Sequence, residues 1–432
     1  PALAAVIDDA DRLVIPAGET YALGGSRAYR VSVDVEGTLL VSQYVPGGAS
    51  GALELSAPDI RVSAAGRISS DGAGFGPAEG PGQGQSTSES AGGGAYGGQG
   101  GRSAQAAGGL PYGSLAQPLE LGSGGGNSTD PFGNARVRGG RGGGRLRISV
   151  GTLRVDGRIS ADGQTGDENG YWGDRGGGGS GGSVLITAQQ LEGSGVISAN
   201  GGASSPRGQK NGGGGGGGRM AISYGASVFA GTVAARGGAG YQYGGAGTVI
   251  YGSELRIDNG VSGAGTTILP GTYGFERVSI GSYAVVEMQT GASLNAVSFL
   301  TQGNSTFTNR GSLAVTAAAA ATGASVLRQL AGTLSALRLE ARTGGLFIYE
   351  GGTLNAQEAE TALGGALSVN TRLELARLLV APGGLVTHGP GDADFDLAVS
   401  ETLTIEPGGR VSVDGAGFGP AEGPGQGQST SE

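Results

Sequence analysis

Cysteine is absent from the 432 residues. Neither a disulfide nor a thiolate metal site can brace this chain, and its redox compartment is left open. Lys210 is the single lysine among 27 basic residues, the others being arginine. A GC-rich genome explains that bias blandly; functionally it leaves a surface almost free of reactive amines. The formal charge of −9 argues against nucleic-acid binding by phosphate neutralisation. The basic cluster Arg136, Arg138, Arg141, Arg145 and Arg147 has a Gly-rich spacing compatible with RNA, but no nucleic-acid partner is expected. No apolar run approaches the ~20 residues of a spanning helix; the most apolar, Leu313 to Ala321, is short and Ala-rich. His388 is the only histidine, so neither a catalytic triad nor a zinc site is expected around it. No cofactor is indicated, and no glycine run ends in the Gly-Lys-Ser/Thr of a phosphate loop.

Glycine fills the space these absences leave, at 96 residues against 16 prolines. Without a Gly-X-Y period this is not collagen. Short β-branched runs such as Val184-Leu185-Ile186 still provide a core, which excludes wholesale disorder. Nineteen residues occur twice unchanged, Asp71 to Glu89 and Asp414 to Glu432, at a spacing of 343 (414 − 71). The chain therefore reads as one period of a tandem array, a pattern that suits a fibre or stalk.

A smaller repeat lies inside that period. The heptapeptide Gly66 to Gly72 recurs at Gly157 to Gly163, Gly195 to Gly201, Gly231 to Gly237 and Gly409 to Gly415. After each of the first four comes a Gly-rich insert (73–143, 164–181, 202–217, 238–246), then glycine and an alternating strand that opens at Arg145, Ser183, Arg219 or Thr248. In Arg145-Leu146-Arg147-Ile148-Ser149-Val150 the period of two puts Leu146, Ile148 and Val150 on one buried face. Short strands with glycine corners at such intervals predict an all-β chain, a parallel β-helix or β-solenoid. Asp71, Asp162, Asn200 and Asp414, each preceding glycine, are expected to cap tight turns. The inserts are expected to lie side by side as polyglycine or polyproline II strands rather than as free loops. The expected organisation is 1–70 as the end of a preceding solenoid segment, 71–251 as coils with long inserts, 252–413 as plain solenoid, and 414–432 as the start of the next repeat.

Candidate sites are few. Tyr171 and Trp172, with Tyr96, Tyr112, Tyr241 and Tyr243, place aromatic rings in Gly-rich inserts, where they would serve packing, lateral contacts or glycan binding. Asp162, Asp167, Glu168 and Asp174 beside Asn169 have the chemistry of a calcium or sugar site but match no known calcium-loop spacing, so solvated turn carboxylates are the plainer expectation. Asn127-Ser128-Thr129 and Asn304-Ser305-Thr306 match the N-glycosylation sequon.

The alternation of G-x-I-S-A-D-G, a Gly-rich insert and G-G-S-V-L-I-T resembles the Gly-rich β-helical repeats of very large bacterial surface proteins, including fibre and adhesin-like proteins of high-GC organisms. The resemblance covers roughly residues 50 to 430. The tracts also resemble polyglycine strands of some phage tail adhesins and Gly-rich antifreeze proteins, but here solenoid strands separate them and flat Thr arrays are missing. What the resemblance implies is a non-enzymatic, extracellular or cell-surface structural repeat whose partners are neighbouring repeats or filament strands. Alternatives are an adhesin that binds surface glycans through the inserts, and a polysaccharide-degrading β-helix. Covalent and end-to-end growth of such a filament both stay open.

Overall fold

A computed structural model describes residues 5–48, 51–130, 132–168, 174–204, 211–260, 265–389 and 395–414. Tyr171, Trp172, Asn169, Lys210 and the second nineteen-residue copy beyond Asp414 lie outside them. Among the described residues every regular element is a strand. The chain is all-β, and most of its strand pairs are parallel.

Contacts divide it into two units, Pro1–Ile268 with Tyr283–Val285, and Leu269–Ser282 with Val286–Glu432. In the first unit, Ala52–Val62, Arg145–Val155, Ser183–Glu192, Arg219–Ser227 and Thr248–Tyr251 form one parallel ladder. A second parallel ladder runs through Thr20–Leu23, Thr38–Val41, Arg67–Ser69, Arg158–Ser160, Val196–Ser198 and Thr232–Ala234. The heptapeptides are therefore rungs of the second ladder, stacked in register: Ile68, Ile159 and Ile197 pair in succession, each fully buried. The alternation read in Arg145–Val155 holds, with Leu146, Ile148 and Val150 buried. Its phase then breaks at Gly151 and Thr152, which both face outward before Leu153 and Val155 turn in again. Pro58-Asp59 and Gln189-Gln190 break the phase at the same level, so each long strand turns a corner there. Glu254–Asp258 folds back antiparallel on Thr248–Tyr251, which carries the first unit past the expected 251/252 boundary.

The second unit is more regular. Ser293–Thr301, Ser312–Thr322, Thr333–Arg342, Thr353–Ala362, Leu373–Val380 and Leu397–Ile405 pair in parallel. Thr306–Asn309, Val326–Gln329, Leu346–Tyr349, Ala366–Val369, Leu385–Thr387 and Arg410–Val411 form a companion ladder. Phe307, Leu327, Phe347, Leu367 and Val386 make one buried column along it. Beside them the buried amides of Asn309 and Gln329 satisfy each other at 2.6 Å, as a polar pair in a core must.

Candidate functional site: the glycine tracts

All four glycine-rich inserts of the first unit meet, and their order comes from backbone hydrogen bonds. In the tract Gly212 to Gly218, Gly213 and Gly216 donate to the carbonyls of Ala91 and Gly94, Gly214 and Gly217 to those of Gln242 and Gly245, and Gly215 and Gly218 to those of Gly202 and Ala199. Donor direction thus repeats every three residues, and each of three neighbours is met twice. Its carbonyls look the other way. Gly213 and Gly216 accept from Gly178 and Gly181, Gly214 and Gly217 from Gly101 and Gly97, and Gly215 from Gly238. Six chain segments therefore surround this one tract.

The tract Gly176 to Gly182 behaves alike. Gly176, Gly179 and Gly182 donate to Asp167, Gln164 and Ala161, Gly177 and Ser180 to Gly126 and Ser123, and Gly178 and Gly181 to Gly213 and Gly216. Such contacts need bare backbone. A β-carbon on Gly215 would overlap the carbonyl oxygen of Gly179, and one on Gly213 that of Gly101. None of Gly212 to Gly218 has a positive φ, so glycine is present for close approach, not for turning. The exit glycines tie the tracts to the ladders: Gly144, Gly182, Gly218 and Gly247 donate to Ser70, Ala161, Ala199 and Ala235. The verbatim segment takes part too, since Gly74, Phe75, Ala78 and Gly84 donate to Gly142, Gly122, Gly125 and Gly124.

The Asp-Gly ends of the heptapeptides work differently from the turn caps expected of them. Asp71 Oδ1 accepts the amide of Asp162 at 2.7 Å, Asp162 Oδ1 that of Asn200 at 2.6 Å, and Asn200 Oδ1 that of Arg236 at 2.9 Å. Each acidic or amide side chain caps the next rung rather than its own turn. Ser160 and Ser198 add hydroxyl donors to Asp71 and Asp162 at 2.9 and 3.1 Å, and Arg158 pairs with Asp162. Burial, and then the neighbouring Asp71 charge, raise the Asp162 carboxyl above its ordinary range. Of the glycines that follow, Gly72 has a positive φ of 60°; Gly163 and Gly201 are instead pressed against the carbonyls of Gly179 and Gly215.

The aromatic candidates separate. Tyr96 is fully buried, which withdraws it from any glycan-facing surface. Its hydroxyl meets Ser183 Oγ at 2.7 Å, its ring packs on Tyr112 at 4.9 Å, and burial raises both phenols. Arg219, a buried residue that the sequence pattern did not single out, lies 5.6 Å from the Tyr96 ring and donates to the Tyr112 carbonyl at 2.9 Å. The available signal was its register: Arg219 pairs with Ser183 and Thr248, both buried. Tyr241 is half exposed with Arg102 5.2 Å over its ring, and Tyr243 is partly buried.

Other candidates are spent on structure. Asp174 is buried 3.8 Å from Arg136, and Glu168 lies 3.5 Å from Arg175. Among the described residues no three potential ligands gather around a metal position. Arg141 is committed to the carbonyls of Gly72, Tyr44 and Gly74, and Arg145 to Glu54, which breaks up the basic cluster. His388 Nδ1 lies 2.8 Å from the Gly389 carbonyl. Asn127 Oδ1 is engaged by the Gly139 amide at 2.9 Å, whereas Asn304 is exposed at a left-handed corner. No described helix is long and apolar enough to cross a membrane. Compared with protein-family models, curated proteins and solved structures, the chain matches none of them.

Proposed function

We propose that this chain is a structural repeat unit of a long extracellular filament, sheath or stalk, built as a β-solenoid whose inserts pack into a polyglycine bundle of polyproline II type. The observation that carries the reading is the tract Gly212 to Gly218, hydrogen-bonded to six neighbouring segments. Three-residue periodicity of the donors is the geometry of polyproline II, which has three residues per turn and no bonds within itself. A body in which tracts from successive rungs interlock through backbone alone resists shear between rungs. That suits load along an axis, and the 343-residue duplication supplies length. Buried polar pairs such as Asn309 with Gln329 and Tyr96 with Ser183 suit a non-enzymatic framework.

Electron microscopy of the native material tests this. Axial features at constant spacing, one per 343-residue period, are expected; isolated compact particles would sink the reading. A second reading, an adhesin for surface glycans, is favoured by Tyr241, whose half-exposed ring beside Arg102 offers a stacking face. Glycan-array binding that disappears in Tyr241→Ala, or in Trp172→Ala, would select it.

A further inference from the structure

The last described rung of the second unit is a core rung with no described strand on its far side. Leu403, Ile405 and Val411 pair with Leu378, Val380 and Val386, which are all buried. Yet they are themselves 50%, 49% and 37% exposed, and Val413 is 47% exposed. Shifted by the same 343 positions they correspond to Ile60, Val62, Ile68 and Ser70, all fully buried. The local geometry matches as well: the Asp71 amide bonds Ser69 Oγ at 3.2 Å, and the Asp414 amide bonds Ser412 Oγ at 3.2 Å. What differs is the cover. Ile60, Val62 and Ile68 are overlaid by Leu153, Val155 and Ile159, and Asp71 receives the Ser160 hydroxyl and the Asp162 amide.

We infer that the rung Leu397–Ile405 with Arg410–Val411 is a docking edge whose occupant is the next copy of residues 72–160 in the same polypeptide. The sequence after Asp414 repeats the residues after Asp71, the opening of that occupant, without a change. The pairing is fixed by the first copy. Leu403 meets the next Leu153, Ile405 the next Val155 and Val411 the next Ile159, while the Asp414 carboxylate takes the next Asp162 amide. Two parallel ladders that no further described strand continues, with four exposed apolar side chains, would otherwise form an edge open to nonspecific pairing. This assignment rests on the tandem reading above and adds its register.

The test extends the full chain past Glu432 with a second copy of residues 90–251 and compares hydrogen exchange with the unextended chain. Amides in 397–412 are expected to slow by about 100-fold, toward the rates of 60–69. Leu153→Asp with Val155→Asp in the appended copy alone should restore the parent rates. Appended glycine tracts that are protected while 397–412 exchange as before would overturn the pairing. Protection that rises with concentration in the unextended chain would overturn it in favour of docking between separate chains. An appended copy without protection anywhere would sink the tandem reading itself.

Discussion

The glycine tracts of the first unit and the corners of the second use glycine in different ways. At the corners of the second unit it makes the turn: Gly303, Gly323, Gly344, Gly364, Gly383 and Gly408 all have positive φ, between 62° and 91°, while Gly345 and Gly365 beside two of those corners serve close approach instead. The core there is made by side chains, with Phe307, Leu327, Phe347 and Leu367 stacked rung upon rung. In the first unit the tract glycines have no such φ, and their value is the missing β-carbon. Cohesion of the second unit is apolar and local to neighbouring rungs; the first unit has an apolar core of its own and adds to it backbone hydrogen bonding shared among inserts far apart in sequence. Substitution of a tract glycine should therefore differ in cost and reach from a change in the second unit's apolar column.

The largest effect is expected from Gly215→Val. No rotamer relieves a β-carbon placed on the Gly179 carbonyl, so the segments must part and give up the bonds of Gly215 to Gly202 and of Gly238 to Gly215. A loss of about 4 kcal/mol is expected in chemical denaturation, with faster amide exchange spreading through 91–101, 176–182 and 238–245. Phe347→Ala comes next, at about 3 kcal/mol for a large buried ring. Its exchange footprint should stay within 326–369. A loss for Gly215→Val below about 1 kcal/mol, or a Phe347→Ala footprint as wide, would erase the comparison.

Much of this contrast was legible in the sequence. The heptapeptide at Gly66, Gly157, Gly195 and Gly231 marked one ladder, and the alternation after Gly144, Gly182 and Gly218 marked the other, because rungs in register must repeat the same residue types. Glycine at every insert exit pointed to ordered tracts, and those exits do bond back to the heptapeptides. Neighbour relations among the tracts were illegible, since identical glycines carry no side-chain code for pairing. The Asp-Gly ends were misread because Asp bonding its own turn and Asp bonding the next rung share one local sequence. Tyr96 was equally ambiguous: a lone ring in a glycine run can face water or plug the interior, and only the approach of Ser183, Tyr112 and Arg219 decides it. The direction of the rung corner at Leu363 escaped as well, because leucine is not a residue that announces a left-handed turn.

Smaller effects probe the links between rungs. Burial and the Asp71 charge raise the Asp162 carboxyl. Its ionisation therefore costs stability that is present below the unfolded pKa and lost as pH rises through the higher folded one. Asn200 performs the same capping in the next rung without a charge. Asp162→Asn is thus expected to keep the fold, to lie within about 1 kcal/mol of the parent at pH 7 despite losing the half-exposed Arg158 pair, and to flatten the pH dependence above the ordinary carboxylate range. Thermal melts from the ordinary carboxylate range up to neutral pH check the slope; an unchanged slope would remove Asp162 as its source.

In the second unit, Leu363 holds φ at 53° with its side chain 68% exposed. A left-handed leucine costs about 1–2 kcal/mol, and glycine returns part of that gain as unfolded-state entropy, about 0.5–1 kcal/mol. Leu363→Gly should stabilise by roughly 0.5–1 kcal/mol, where a glycine already stands at the matching corners Gly303 and Gly323. A destabilised variant would show that the leucine side chain contributes contacts that outweigh its strain.

The smallest effect is the sharpest control. Gly274 lies inside the strand Thr272–Gly281, has no positive φ, and a β-carbon there meets nothing within 4 Å. With neither close approach nor a turn to explain it, Gly274 only adds entropy to the unfolded chain. Gly274→Ala should therefore stabilise by about 0.5 kcal/mol, the opposite sign to Gly215→Val, read as a small rise in the denaturation midpoint without a change in slope. If Gly274→Ala instead destabilises by an amount like that of a tract glycine, then substitution cost follows glycine as such, and the distinction between corner and close approach fails.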